Sequence, residues 1–168
     1  MARITLFRHG KAETPSLTRA DLDRELTTRG IANARRMGQF MLDQRMLPDM
    51  VLVSPAQRTS HTFALASENW PEMPVLVRDD IYEANASTLL DLVTNLAGDV
   101  QNVMIVGHNP SLVVLLNYMV GSRHTDGNLS YFPTSCVADI GFEAPTLGAI
   151  EPDEGRLLSM IRVKDLGN

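Results

Sequence analysis

The chain has 168 residues, 44% of them hydrophobic and 21% charged, which suits a single domain over 1–168 that buries a core without a disulfide or metal staple. Its formal net charge of −5 argues against general nucleic-acid binding, which needs a broad basic surface to displace counterions from phosphates. Cys136 is the only cysteine, so no intramolecular disulfide can form. The chain enters a strand without an apolar signal segment and has no run of membrane-spanning length, so a cytoplasmic protein without membrane partners is expected.

In chain order, Ile4-Thr5-Leu6-Phe7 reads as a short buried strand that runs straight into Arg8-His9-Gly10-Lys11, a turn carrying three basic groups. Residues 13–23 are polar and predict a loop over or beside this strand tip. Thr27 or Thr28 then caps a helix whose apolar face, Ile31, Ala34, Gly38, Met41 and Leu42, recurs at helical spacing to about Arg45. Met50-Val51-Leu52-Val53 is the continuous apolar run of a strand covered on both faces. Ser54-Pro55 predicts the start of the next helix, to about Asn69, with Arg58 in its first turn. A helix amino terminus and a guanidinium together attract anions.

Val75-Leu76-Val77 predicts a third strand, and residues 79–85 a polar loop that carries Glu83. Leu89, Leu90, Leu92, Val93 and Leu96 mark a short helix with Ser87 as its expected cap. Val103-Met104-Ile105-Val106 is a fourth strand ending in Gly107-His108-Asn109-Pro110, with Asn109 as the expected cap of an apolar helix over 111–120. The polar segment 121–134 leads into runs at 135–142 and 156–163, which predict an antiparallel pair at the sheet's edge. The fold class is therefore α/β with a mainly parallel sheet. His61 reads as a surface or packing residue, Cys136 as core, and His124 carries no assigned role.

Three strand tips deliver Arg8-His9, Arg58 and His108, and in a parallel sheet such tips share one edge, where ligands bind. Phosphoryl transfer spreads negative charge over three equatorial oxygens, so fixed cations suit it. Arginine adds a planar fork that matches two phosphate oxygens. A neutral imidazole can attack phosphorus with one nitrogen while the other donates to a carbonyl. Spacing alone does not choose between His9 and His108, but Gly10 allows a tight backbone turn behind His9. The histidines lack the His-Glu-x-x-His spacing of a metallohydrolase, so neither a metal nor another cofactor is expected.

Leu6-Phe7-Arg8-His9-Gly10-Lys11 resembles the Arg-His-Gly signature of the histidine phosphatase superfamily, also called phosphoglycerate-mutase-like. Leu26-Thr27-Thr28-Arg29-Gly30, Ser54-Pro55-Ala56-Gln57-Arg58-Thr59, Ile81-Tyr82-Glu83-Ala84 and Gly107-His108-Asn109-Pro110 are similar to further blocks of its short members, in the same order. The branch most resembled is that of SixA-like phosphohistidine phosphatases. The resemblance implies a three-layer α/β/α fold of phosphoglycerate-mutase type and a phosphohistidine intermediate on His9. It implies phosphoryl binding by Arg8, Arg58 and His108, a proton donor at Glu83, and a supporting role in the pocket for Lys11 and Asn109.

Residues 79–102 leave room for a loop and one short helix but not for a lid domain. An uncovered pocket can admit a phosphorylated side chain presented by another protein, so the expected substrate is protein-bound phosphohistidine. A small phosphate ester is the alternative, and a phosphate-recognition module with little turnover is a reading from a different functional class.

Overall fold

The apolar runs at residues 4–7, 50–53, 75–77 and 103–106 lie side by side in one six-stranded sheet. The computed structural model describes residues 1–96, 98–121 and 129–167; His124 lies outside them. The strands are β1 (Ala2–Arg8), β2 (Met50–Val53), β3 (Val75–Val77), β4 (Asn102–Gly107), β5 (Val137–Phe142) and β6 (Arg156–Ile161). The helices are α1 (Thr28–Asp43), α2 (Gln57–Ala66), α3 (Ala86–Thr94) and α4 (Ser111–Val120). The sheet order is β3-β2-β4-β1-β5-β6. Strands β3, β2, β4 and β1 are parallel, while β5 runs antiparallel to both β1 and β6.

Alternation along the strands sorts the core into two layers. Ile4, Leu6, Leu52, Val103 and Ile105 pack with Leu89 and Val93 of α3 and with Leu112, Leu115 and Met119 of α4. Phe7, Val51, Val53, Met104 and Val106 point the other way, toward Met37 and Met41 of α1 and Ala66 of α2. The result is an α/β/α sandwich. Each fully buried side chain of this size contributes about 1.5–3 kcal/mol relative to remaining in water. No helix among the described residues is long and apolar enough to cross a membrane.

Of the two threonines the sequence offers, Thr27 caps α1, its hydroxyl accepting from the Gly30 amide at 3.1 Å. Three other helix starts differ from expectation. Helix α2 begins at Gln57 rather than at Ser54, because the Ser54 amide still bonds the Val106 carbonyl of the sheet. Asn85, not Ser87, caps α3, accepting from the Thr88 amide at 2.9 Å, while Ser87 donates to the Asn85 side chain. Asn109 does not cap α4, because its amide nitrogen is drawn to the Phe132 carbonyl at 2.9 Å. At α3 a neighbouring acceptor, the Asn85 side chain, takes the capping role, whereas at α4 a carbonyl 23 residues away draws the Asn109 side chain aside.

Candidate active site

Parallel pairing brings the carboxyl ends of β1, β4 and β2 together. Arg8 pairs with Gly107 and Val53 with Val106, so the residues that follow each strand stand next to one another. The His9 amide donates to the Gly107 carbonyl at 3.2 Å, extending the β1–β4 ladder one residue beyond the strand. Arg58 arrives from the first turn of α2, immediately after β2.

His9 is only 8% exposed, and its Nδ1 lies 2.8 Å from the Gly10 carbonyl. A carbonyl only accepts, so Nδ1 carries the hydrogen and Nε2 keeps its lone pair. Burial, opposed by the Gly10 carbonyl and reinforced by His108, Arg58 and Arg8, lowers the His9 pKa to about 3. The ring is therefore neutral near pH 7. That Arg58, Arg8 and His108 all act on it electrostatically reflects how closely the three tips gather.

The turn behind His9 is built by backbone approach. The Gly10 amide donates to Thr62 Oγ1 at 2.8 Å, and a Cβ at Gly10 would stand 2.9 Å from the Gly30 carbonyl. At Gly30 a Cβ would come within 2.1 Å of the Lys11 carbonyl, which also accepts from the Thr27 amide. Residues 26–30 are thus the seat on which the Arg-His-Gly-Lys turn rests, which is why two distant blocks of sequence occur together.

His108 lies against His9, ring centroids 5.3 Å apart. Its Nε2 is 2.7 Å from Ser54 Oγ, while its Nδ1 is buried with no partner among the described residues. Burial first, then Arg58 and Arg8, hold its pKa at about 4. Arg8 donates from Nη1 to the Phe132 carbonyl at 2.9 Å, the same carbonyl that Asn109 bonds. The Nε atoms of Arg8 and Arg58 are buried without partners among the described residues. Buried donors of this kind suit an anion with several acceptor oxygens.

Several residues at this edge were not legible as site residues. Arg58 is held by Asp21, from Nη1 to the carbonyl at 2.7 Å and from Nη2 to Oδ2 at 3.1 Å. Tyr82 OH donates to the same Oδ2 at 2.6 Å, and Arg24 to Oδ1 at 3.0 Å. Hydrogen bonds from Tyr82 and Arg24, then the Arg58 charge, hold the Asp21 carboxyl far below the usual carboxylate range. Tyr82 also stands edge-on to His108, centroids 5.7 Å apart. The signal available for Asp21 was the expected placement of 13–23 beside the strand tip; for Ser54 it was a hydroxyl directly after a strand.

Glu83, beside Tyr82, is exposed, at φ 58°, and makes no hydrogen bond or ion pair among the described residues. Lys11 is exposed, its carbonyl accepts from the Thr27 amide, and it lines two surface clefts. Cys136 is fully buried, and burial pushes its thiol up to about 12, in keeping with a core role. Among the described residues no three His, Cys, Asp or Glu side chains are grouped to hold a metal ion.

The family model of the histidine phosphatase superfamily (branch 1) matches residues 4–98. An uncharacterised protein of Mycobacterium tuberculosis strain H37Rv is 29% identical over 137 residues, covering 79% of this chain and 84% of its own length. The crystal structure of a protein of Agrobacterium tumefaciens assigned as phosphohistidine phosphatase SixA is 30% identical, with a TM-score of 0.82 over 96% of this chain and 97% of that one. The protein histidine phosphatase SixA complexed with tungstate is 21% identical, with a TM-score of 0.75 over 98% and 99% of the two chains. With a buried imidazole and two arginines gathered at the tips of a parallel sheet, and a match through the Arg-His-Gly block and most of the elements that seat it, the chain belongs to the histidine phosphatase superfamily.

Proposed function

We propose that the protein is a metal-independent phosphohistidine phosphatase acting on phosphohistidine carried by another protein, through a phosphorylated His9. The observation that carries this reading is the Nδ1 contact of His9 with the Gly10 carbonyl in a ring that burial keeps neutral. It leaves Nε2 as an unprotonated nucleophile at neutral pH. The likeness to the Agrobacterium tumefaciens protein assigned as SixA supports the choice of substrate.

In the first step His9 Nε2 forms a bond to phosphorus as the bond from phosphorus to the substrate imidazole breaks. A substrate ring protonated on its other nitrogen leaves as neutral imidazole, so this step needs little help from an acid. Phospho-His9 then carries a proton on Nδ1 and a positive ring. Water attacks phosphorus, the bond to Nε2 breaks, and neutral His9 and dihydrogen phosphate result. Arg8, Arg58 and His108 hold the equatorial oxygens in both steps. Lys11 and Asn109 support the pocket: Asn109 shares the Phe132 carbonyl with Arg8. Glu83 serves as proton donor only for leaving groups poorer than imidazole.

The test is phosphate release from a phosphohistidine protein, a phosphomonoester and a phosphoglycerate, with trapping of the enzyme intermediate. Acid-labile, base-stable label on His9 and loss of turnover in His9→Ala are expected. An active His9→Ala variant overturns the mechanism. Tight binding of the phosphoprotein with no phosphate released in a single turnover would make the protein a recognition module instead.

A further inference from the structure

A cleft of about 260 Å³ opens beside the site, lined among others by Lys11, Arg29, Asn33, Tyr131, Arg162 and Lys164. Both lysines of the chain lie here. Most other described cations are already engaged: Arg3 with Asp139, Arg19 with Glu13, Arg24 and Arg58 with Asp21, Arg35 with Glu68, and Arg78 with Asp80. Arg8 and Arg36 donate to backbone carbonyls. Among the described residues five cationic side chains have no hydrogen bond or ion pair: Lys11, Arg29, Arg45, Arg156 and Lys164. Three of these five meet in this cleft. Among the described residues no carboxylate lines it, and the adjacent Asp165 is bound by Arg162.

In a chain of net charge −5, gathering unpaired like charges is unfavourable unless a partner supplies the opposite sign. The cleft also shares its walls with the site. Lys11 follows His9 by two residues, a span of at most about 7 Å. Its lining also includes Tyr131, Pro133 and Thr134, which bracket Phe132, and the Phe132 carbonyl holds both Arg8 and Asn109. Tyr131 is 60% exposed at this wall, an aromatic of the kind enriched where proteins meet.

We infer that this cleft receives carboxylate side chains of the phosphorylated protein, seating the acidic surface that flanks its phosphohistidine while the phosphoryl group reaches His9. The inference rests on the phosphohistidine-protein reading above and adds the chemistry of the partner's surface. Exposed charges of this kind act on encounter and on KM, and salt weakens them.

The test compares the double variant Arg29→Ser/Lys164→Ser with Arg45→Ser/Arg156→Ser, which removes the same charge from the other two described arginines without a hydrogen bond or ion pair. Binding of a fluorescein-labelled hexaglutamate peptide is followed by anisotropy at low salt. In parallel, kcat/KM is measured on a phosphohistidine protein with acidic neighbours and on free phosphohistidine. Peptide affinity is expected to fall about tenfold in the cleft variant and less than twofold in the control. The ratio of kcat/KM for protein over free phosphohistidine should fall about tenfold in the cleft variant, through KM. Equal losses in the two variants, or no loss in either, overturn the cleft. An equal fall on free phosphohistidine overturns it too, by making these residues part of the small-anion site. If the wild type releases phosphate from neither substrate yet peptide binding follows the expected pattern, acidic docking stands and the phosphatase reading falls.

Discussion

Asp21 holds Arg58 twice, through its backbone carbonyl at 2.7 Å and its carboxylate at 3.1 Å. Both terminal nitrogens of the guanidinium are thereby engaged, and the buried Nε has no partner among the described residues. The Asp21 carboxylate is half-exposed, so solvent and salt screen its repulsion of a phosphate. Its hydrogen bonds to Arg58 and Tyr82 act at contact and are not screened in this way. Positioning therefore outweighs repulsion. Asp21→Ala is expected to lower kcat/KM about tenfold, the scale of one charge-assisted hydrogen bond. Steady-state kinetics check this, and a rise in kcat/KM would mean that repulsion dominates.

Gly30 has no room for a methyl group, since a Cβ there would sit 2.1 Å from the Lys11 carbonyl. Gly30→Ala is expected to cost about 1–3 kcal/mol in urea unfolding. It should also lower kcat on every substrate by shifting the turn that aims His9. Stability lost with kcat intact would separate the seat from the chemistry.

The pH dependence of stability follows from the two histidines. In the fold their pKa values are about 3 for His9 and about 4 for His108, against an ordinary 6.5. Between 6.5 and about 4 the unfolded chain binds the extra protons, so their contribution is fully present above 6.5 and is lost as pH falls through this window. Each histidine contributes at most about 1.4 kcal/mol per pH unit. Urea unfolding at pH 7 and pH 5 should show His9→Gln losing about 1–2 kcal/mol less than the wild type. Equal losses would mean that His9 is not held neutral by the fold.

Glu83 is exposed and unbonded among the described residues, and a phosphohistidine leaving group asks little of an acid. Glu83→Gln is expected to change kcat on phosphohistidine less than about threefold. On an alkyl phosphate, where a general acid contributes about 10²-fold or more, the loss should be far larger. Parallel assays on the two substrates decide the point. A large loss on phosphohistidine would make Glu83 the proton donor there as well.

Local sequence was sufficient for the strands of the parallel sheet and for the residues at their tips. A continuous apolar run such as Met50–Val53 or 103–106 declares a strand covered on both faces, and the charged and imidazole side chains at its end or within about a turn beyond it can be named without tertiary information. Arg8, His9, Arg58 and His108 were legible for that reason, and the parallel order then brings them to one edge. Only the tertiary structure decided what each of them touches. Asp21 meets Arg58 across 37 residues, Ser54 meets His108 across 54, and the Phe132 carbonyl meets Arg8 across 124. Periodicity and capping preferences describe neighbours within a turn or two, whereas these partners are chosen by strand order and layer packing. The same packing displaced Ser54 and Asn109 from their expected capping roles, and by burying the two imidazoles it lowered their proton affinity, because charge in a desolvated interior is costly and no local motif records how deep a side chain will lie.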